Sequence, residues 1–145
     1  MGISRYNSEG YYDPTTYEAL SAVGKLEKEA MAAKRAYRPL VYICSPFSGD
    51  TDGNTQKARR YCRFAVRNGC IPLAPHLLFP QFMDDTKPAE RNLALFMDIV
   101  LLGKCDQLWV FGKEISAGMA AEIGKAEKKN MTIRYFTEEL KEAAV

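Results

Sequence analysis

The chain has 145 residues, a net charge of +2, 47% hydrophobic and 26% charged residues. That is one domain's worth of sequence with enough apolar side chains for a real core, unlike a disordered chain. The near-neutral balance gives no reason to expect a nucleic-acid or membrane partner, because that footprint is a strong basic excess.

Cys44, Cys62, Cys70 and Cys105 are spread out without a Cys-x-x-Cys pair, and His76 is the only histidine. Zinc and iron–sulfur sites need clustered thiols and imidazoles, so no metal or cofactor is expected. The opening Met1-Gly-Ile-Ser-Arg-Tyr6 has no apolar signal core, and Tyr6 stands where myristoylation needs Ser or Thr. The longest apolar stretch, Leu93 to Leu102, is broken by Asp98 and is too short to span a bilayer. A cytoplasmic protein with reduced thiols is the expectation.

Residues 1–12 are polar, Tyr-rich and without pattern. Asp13-Pro14 can cap and open a helix that runs to about Ala36, with Tyr17, Leu20, Val23 and Leu26 roughly in register, before Arg38-Pro39 ends it. From Leu40 the chain alternates. Leu40–Cys44 is predicted as a strand, followed by turn residues through Asp50. Asn54 is expected to cap a helix whose Ala58, Tyr61, Cys62 and Ala65 fall at i, i+3, i+4 and i+7, closed by Asn68-Gly69. Arg59, Arg60 and Arg63 make its solvated face. Cys70–Ala74 is the second strand, and His76–Lys87 reads as a long loop. Pro88 opens a helix to about Lys104, Gln107–Phe111 is the third strand, and Ser116 caps a helix that ends at Asn130. Thr132–Phe136 is the fourth strand, and Glu138–Ala144 reads as a final helical turn or two.

Strands separated by helices of this length imply βαβ units. The expected fold is α/β: a Rossmann-like or flavodoxin-like parallel sheet of four to five strands with helices on both faces, plus an N-terminal helix. The domain division is 1–38 for leader and helix, and 39–145 for the α/β domain. Ligands of such sheets bind beyond the carboxyl ends of the strands. The loops there are Cys44–Asn54, Pro75–Pro88 and Gly112–Gly118.

Three places in those loops and their helices can carry chemistry. Ser116 as N-cap leaves backbone N–H groups free near the strand ends, and Gly118 lets a ligand approach the first helical turn. Glu122 follows Gly118 by four residues and shares its helical face. The plainer alternative is a cap, a packing glycine and a solvated acid. Asp98 lies between an apolar stripe of Leu93, Met97, Val100 and Leu101 and a second apolar side of Leu95, Ile99 and Leu102. A carboxylate there needs a hydrogen bond or a raised pKa, and a raised pKa suits a proton donor; the alternative is a loop cap or a solvent-facing acid. Tyr42 is two residues from Cys44 on one face of its strand, able to hold a carboxylate or simply to fill core. Ser45, Ser48 and Gly49 sit in the turn that follows, where hydroxyls and amides can hold phosphate or ribose. This turn matches neither the P-loop nor the dinucleotide fingerprint. His76, alone in a Pro-flanked loop, can contact a ligand, with no Ser or Cys partner assigned to it by sequence.

Val41-Tyr-Ile-Cys-Ser-Pro46, Asp98-x7-Asp106 and Ser116-x-Gly-x-x-x-Glu122 together resemble the nucleoside 2-deoxyribosyltransferase superfamily, over roughly Leu40 to Phe136. That superfamily includes nucleoside deoxyribosyltransferases and deoxynucleoside 5′-monophosphate N-glycosidases, and the chain is most similar to its small bacterial and phage members. The resemblance implies Glu122 as nucleophile at C1′ of the sugar, Asp98 as the acid at the departing base, and Tyr42 as the phenol that orients the nucleophile. Water would resolve the glycosyl ester in a hydrolase and a second base in a transferase. The transferases carry an acid where this chain has Ser116; the nucleotide glycosidases carry Ser there, which leans toward a 5′-phosphorylated substrate. The resemblance also implies a homodimer or larger homo-oligomer acting on a small nucleoside or nucleotide. It gives no role to the loop with Asp84 and Asp85 or to the N-terminal helix. The competing readings are a nucleotide-binding module without turnover on the same fold and, beyond that, a purely structural protein.

Overall fold

The computed structural model describes residues 14–35 and 37–143. The chain divides into two compact units, Met1–Tyr37 and Arg38–Val145. In the first, helix α1 spans Pro14–Arg35. Val23 and Leu26, half of the expected apolar register, are 50% and 63% exposed. The leader, the Asp13 cap and the side chains of Tyr17 and Leu20 lie outside the described residues.

In the second unit, strands β1 (Leu40–Cys44), β2 (Ile71–Leu73), β3 (Gln107–Phe111) and β4 (Thr132–Phe136) form one sheet in the order β2-β1-β3-β4. Every pairing is parallel. The chain runs outward from β1 to β2, then crosses back to β3 and on to β4, so the switch point lies between β1 and β3. The predicted α/β parallel fold is therefore the observed one.

The two-residue period of the strands sorts the core into two layers. Val41, Ile43, Trp109, Phe111 and Phe136 pack with Tyr61 and Ala65 of α2 (Thr51–Arg67). Tyr61 stacks on Phe111 at 4.1 Å between centroids, and Phe111 on Phe136 at 5.1 Å. Rings buried this way each contribute roughly 1.5–3 kcal/mol. On the other face Tyr42, Cys44, Leu108 and Val110 pack with Leu102 of α4 (Pro88–Leu102) and with Met119 and Ala126 of α5 (Ala117–Lys128).

Four expectations need correction. Helix α2 begins three residues before Asn54, because the Asp50 carboxylate accepts the Gly53 N–H at 3.2 Å and caps it first. Asn54 instead donates back to the Phe47 and Ser48 carbonyls, at 3.2 and 3.1 Å, and ties the β1–α2 loop. The loop after β2 is partly helical: α3 (Pro75–Leu78) starts on a proline, and a 3₁₀ turn follows at Phe79–Gln81. The α4 stripe faces the other way. Leu102 is buried and Ile99 packs on the core, whereas Leu93 and Val100 are 50% and 43% exposed. Residues 98, 99 and 102 thus lie on its inner face, and Leu95, 44% exposed, lines the cavity beside them. Finally, residues 138–143 form a non-helical turn and not the expected helical turn or two. Leu140 has φ 69°, Glu142 bridges Phe136 antiparallel, and Arg134 grips Glu142 at 2.6 Å while lying 4.8 Å over the Trp109 ring. Ala144 lies outside the described residues.

Candidate active site

At the carboxyl ends of β1 and β3 the switch point opens into a cavity of about 480 Å³. That volume suits a small organic ligand. It is lined by the β1–α2 loop, α3 and its 3₁₀ turn, the inner face of α4, and the start of α5.

Of the residues singled out by sequence, Ser45, Ser48, His76, Asp98, Ser116, Gly118 and Glu122 all line this one cavity. Gly49, with φ +96°, belongs to the same loop but not to the lining. Tyr42 lies underneath, 1% exposed, and its hydroxyl donates to Glu122 Oε1 at 3.0 Å. The strand period explains this contact: Tyr42 and Cys44 point from β1 toward α5, and Glu122 comes off the second turn of that helix.

Burial raises the Glu122 carboxyl above its ordinary range, and hydrogen bonds from the Cys44 thiol and the Tyr42 phenol pull it back toward the ionised form. Both donors stay protonated. Burial, reinforced by the Glu122 charge, holds the Tyr42 phenol and the Cys44 thiol far above their usual values. Cys44 Sγ donates to the Met119 carbonyl at 4.0 Å, one turn before Glu122, so its single proton is divided between that carbonyl and the carboxylate. Cys44 is the residue that sequence reasoning passed over. Its spacing from Tyr42 was the available signal, because two donors on one strand face can share one acceptor.

Asp98 has the opposite character. Its Oδ1 is buried and has no hydrogen-bond partner among the described residues. Burial, with the nearby Glu122 charge behind it, raises its pKa to about 7. The two carboxyl groups therefore differ: Glu122, raised by burial, has hydrogen-bond donors that favour its charged form, whereas Asp98 has none among the described residues and holds a proton near neutral pH.

The remaining lining is set by backbone. Ser116 caps α5 by accepting the Met119 N–H at 3.3 Å. A Cβ added at Gly118 would meet only Ser116 Oγ, at 4.0 Å, so no packing in the protein requires glycine there. Ser45 Oγ lies 3.2 Å from His76 Nε2, and burial pushes that imidazole down to about 4. Phe47, Phe79 and Met83 supply apolar wall, and Asp85, Glu90 and Arg91 complete the charged lining. Among the described residues no three His, Cys, Asp or Glu side chains gather as metal ligands, and no helix is long and apolar enough to cross a membrane.

Residues 39–136 match a family described as a domain of unknown function, DUF7768, and the chain belongs to that family. No curated protein matches it. Among solved structures it is similar to a 2-deoxyribosyltransferase from the psychrotolerant bacterium Bacillus psychrosaccharolyticus. The TM-score is 0.52 and the identity 18%, over 67% of this chain and 71% of that one. At that identity the likeness establishes the shared fold, which agrees with the resemblance seen in the sequence.

Proposed function

We propose that this protein breaks or transfers the N-glycosidic bond of a nucleoside or nucleoside 5′-monophosphate through a covalent glycosyl-Glu122 intermediate. The observation that carries the reading is the pair of unlike carboxyl groups in one cavity: Glu122 anchored by the Tyr42 hydroxyl at 3.0 Å, and Asp98 with a buried, unpartnered oxygen. The likeness in fold to a deoxyribosyltransferase supports the same class of reaction.

In this mechanism a Glu122 oxygen attacks C1′ of the sugar, and the bond from C1′ to the base nitrogen breaks. Asp98 delivers its proton to the departing base, so no anionic base has to leave. Tyr42 and Cys44 keep Glu122 charged and aimed, which favours attack over protonation. Asp98, now ionised, takes a proton from an incoming water or a second base. That nucleophile forms the new bond to C1′, the ester bond breaks, and Glu122 regains its charge. Gly118 leaves room for the sugar beside the first turn of α5, and Ser48, Gly49 and Ser116 sit on loops able to hold its outer hydroxyls or phosphate. The reading includes self-association through the exposed Leu93, Phe96 and Val100 side of α4, testable by sedimentation of Phe96→Glu.

The test is base release across a panel of nucleosides and 5′-monophosphates. Free base is expected with at least one of them and is lost in Glu122→Gln. Ligand-induced stabilisation without any product would replace this reading with that of a binding module.

A further inference from the structure

The Ser45–His76 contact is not used by the steps above. It sits in the cavity wall at 3.2 Å, with Ser45 only 9% exposed and the ring half-buried beside Phe47, 6.0 Å between ring centroids. With its pKa down at about 4, the imidazole is neutral at physiological pH and a poor general base. Among the described residues its Nδ1 has no hydrogen-bond partner, and no acid orients the ring as a nucleophile-activating pair would require.

Its tautomers decide what it can recognise. If Ser45 donates to Nε2, then Nδ1–H is a free donor and Ser45 Oγ a free acceptor. If Nε2–H donates to Ser45, the serine hydroxyl is the free donor and Nδ1 the free acceptor. In both cases the pair offers one donor, one acceptor and no net charge. The two free positions lie at opposite ends of the pair, so a ligand group meets one of them, and a hydroxyl, which can give or take, fits that position in either tautomer, whereas a phosphate dianion only accepts.

The charges around the pair point the same way. The titratable groups of the lining besides His76 are Asp85, Glu90, Asp98 and Glu122 against Arg91 alone. Even with Asp98 protonated and Glu90 paired with Lys87 at 3.9 Å, Asp85 and Glu122 outnumber the single guanidinium. The β1–α2 loop and the first two residues of α2, positions 45–52, carry two aspartates and no lysine or arginine. Apart from the positive N-terminal end of α5, a phosphate dianion would enter a cavity whose side-chain charges are of its own sign.

We propose that the Ser45–His76 pair recognises a free hydroxyl on the sugar of an uncharged nucleoside, and that this cavity discriminates against the 5′-phosphorylated form. This rests on the glycosyl-transfer reading and departs from the lean toward a 5′-phosphate that Ser116 implied.

The experiment crosses ligand with protein. A nucleoside, its 3′-deoxy and 5′-deoxy analogues and its 5′-monophosphate are compared on the wild type, Ser45→Ala and His76→Phe, by kcat/KM. The same set is compared by Kd on Glu122→Gln carrying each change, where no turnover intervenes. The wild type should lose about 10²-fold on removal of the recognised hydroxyl, because the pair is then left unpaired. The variants should treat that analogue and the parent nucleoside alike, and His76→Gln should restore part of the discrimination. The monophosphate should be the poorer ligand throughout. Equal losses for every analogue in the variants would make the pair a structural contact and overturn the proposal, as would a preference for the monophosphate. Coupling seen in Kd with no base released by the wild type would sink the catalytic reading while the hydroxyl assignment stands. No binding of any nucleoside would remove both.

Discussion

The two faces of the sheet are built from alternate residues of the same strands, yet they have opposite chemistry. Val41 and Ile43 enter a dry aromatic slab with Tyr61, Trp109, Phe111 and Phe136. Tyr42 and Cys44, their immediate neighbours, lie beneath a buried carboxylate. One face is satisfied by area and the other by hydrogen bonds, and at Asp98 the second face is left incomplete. A carboxyl oxygen without a partner opposes folding, so its place in a cavity is better explained by a ligand than by stability.

Substitutions can separate the faces. Glu122→Gln should lower base release by about 10⁴-fold while the thermal midpoint holds or rises, since a neutral amide replaces a buried acid. Release by chromatography and melting by calorimetry check the two halves; parallel collapse of both would erase the contrast. Phe111→Ala should do the reverse. It is expected to cost about 3–5 kcal/mol in chemical denaturation and to leave kcat/KM per folded molecule unchanged.

Tyr42→Phe should lower kcat by roughly 10–100-fold, the worth of a hydrogen bond to a charged acceptor. The acid limb of its pH profile should move up, because Glu122 loses a donor that favours its charge. Cys44→Ala should shift both in the same direction by less, as a thiol is a weak donor.

Asp98 gives a pH signature. Its folded pKa, about 7, lies above the ordinary aspartate value of 3.8. Between those values the folded state binds more protons than the unfolded one, so stability falls as pH rises through that window and levels off above about 7. Asp98→Asn should flatten that slope, gain most relative to wild type above neutrality, and remove the basic limb of activity near pH 7. Melting curves and rate profiles over the window test it. The smallest effect is Gly118→Ala, which should stabilise α5 by no more than about 1 kcal/mol yet weaken substrate binding, read as KM.

Strands β1, β3 and β4 were legible to the residue because short runs of β-branched and aromatic residues sit between clear turn signals. The carboxylates were legible less directly. Spacing put Glu122 and Gly118 on one helical face, but a family resemblance was needed to prefer function over a solvated acid. The Ser45–His76 contact was not legible, because 31 residues separate its partners and α3 is too short to show a period. Asn54 was mistaken for a cap since Asp50, four residues earlier, is equally able and comes first. Helix α4 is apolar on so many sides that periodicity cannot choose its inner face. The last residues have helical composition, but the Arg134–Glu142 pair and the Phe136 bridge decide their path through tertiary contact.

Cys44 and Ser45 are consecutive, one peptide bond apart at the tip of the central strand. In the proposed reaction the group that steadies the attacking oxygen and the group that faces the sugar therefore share a single anchor. Any change that tilts this tip displaces both at once, so selectivity and speed cannot be tuned separately from β1. Independent adjustment of substrate choice has to come through α3, from the His76 side.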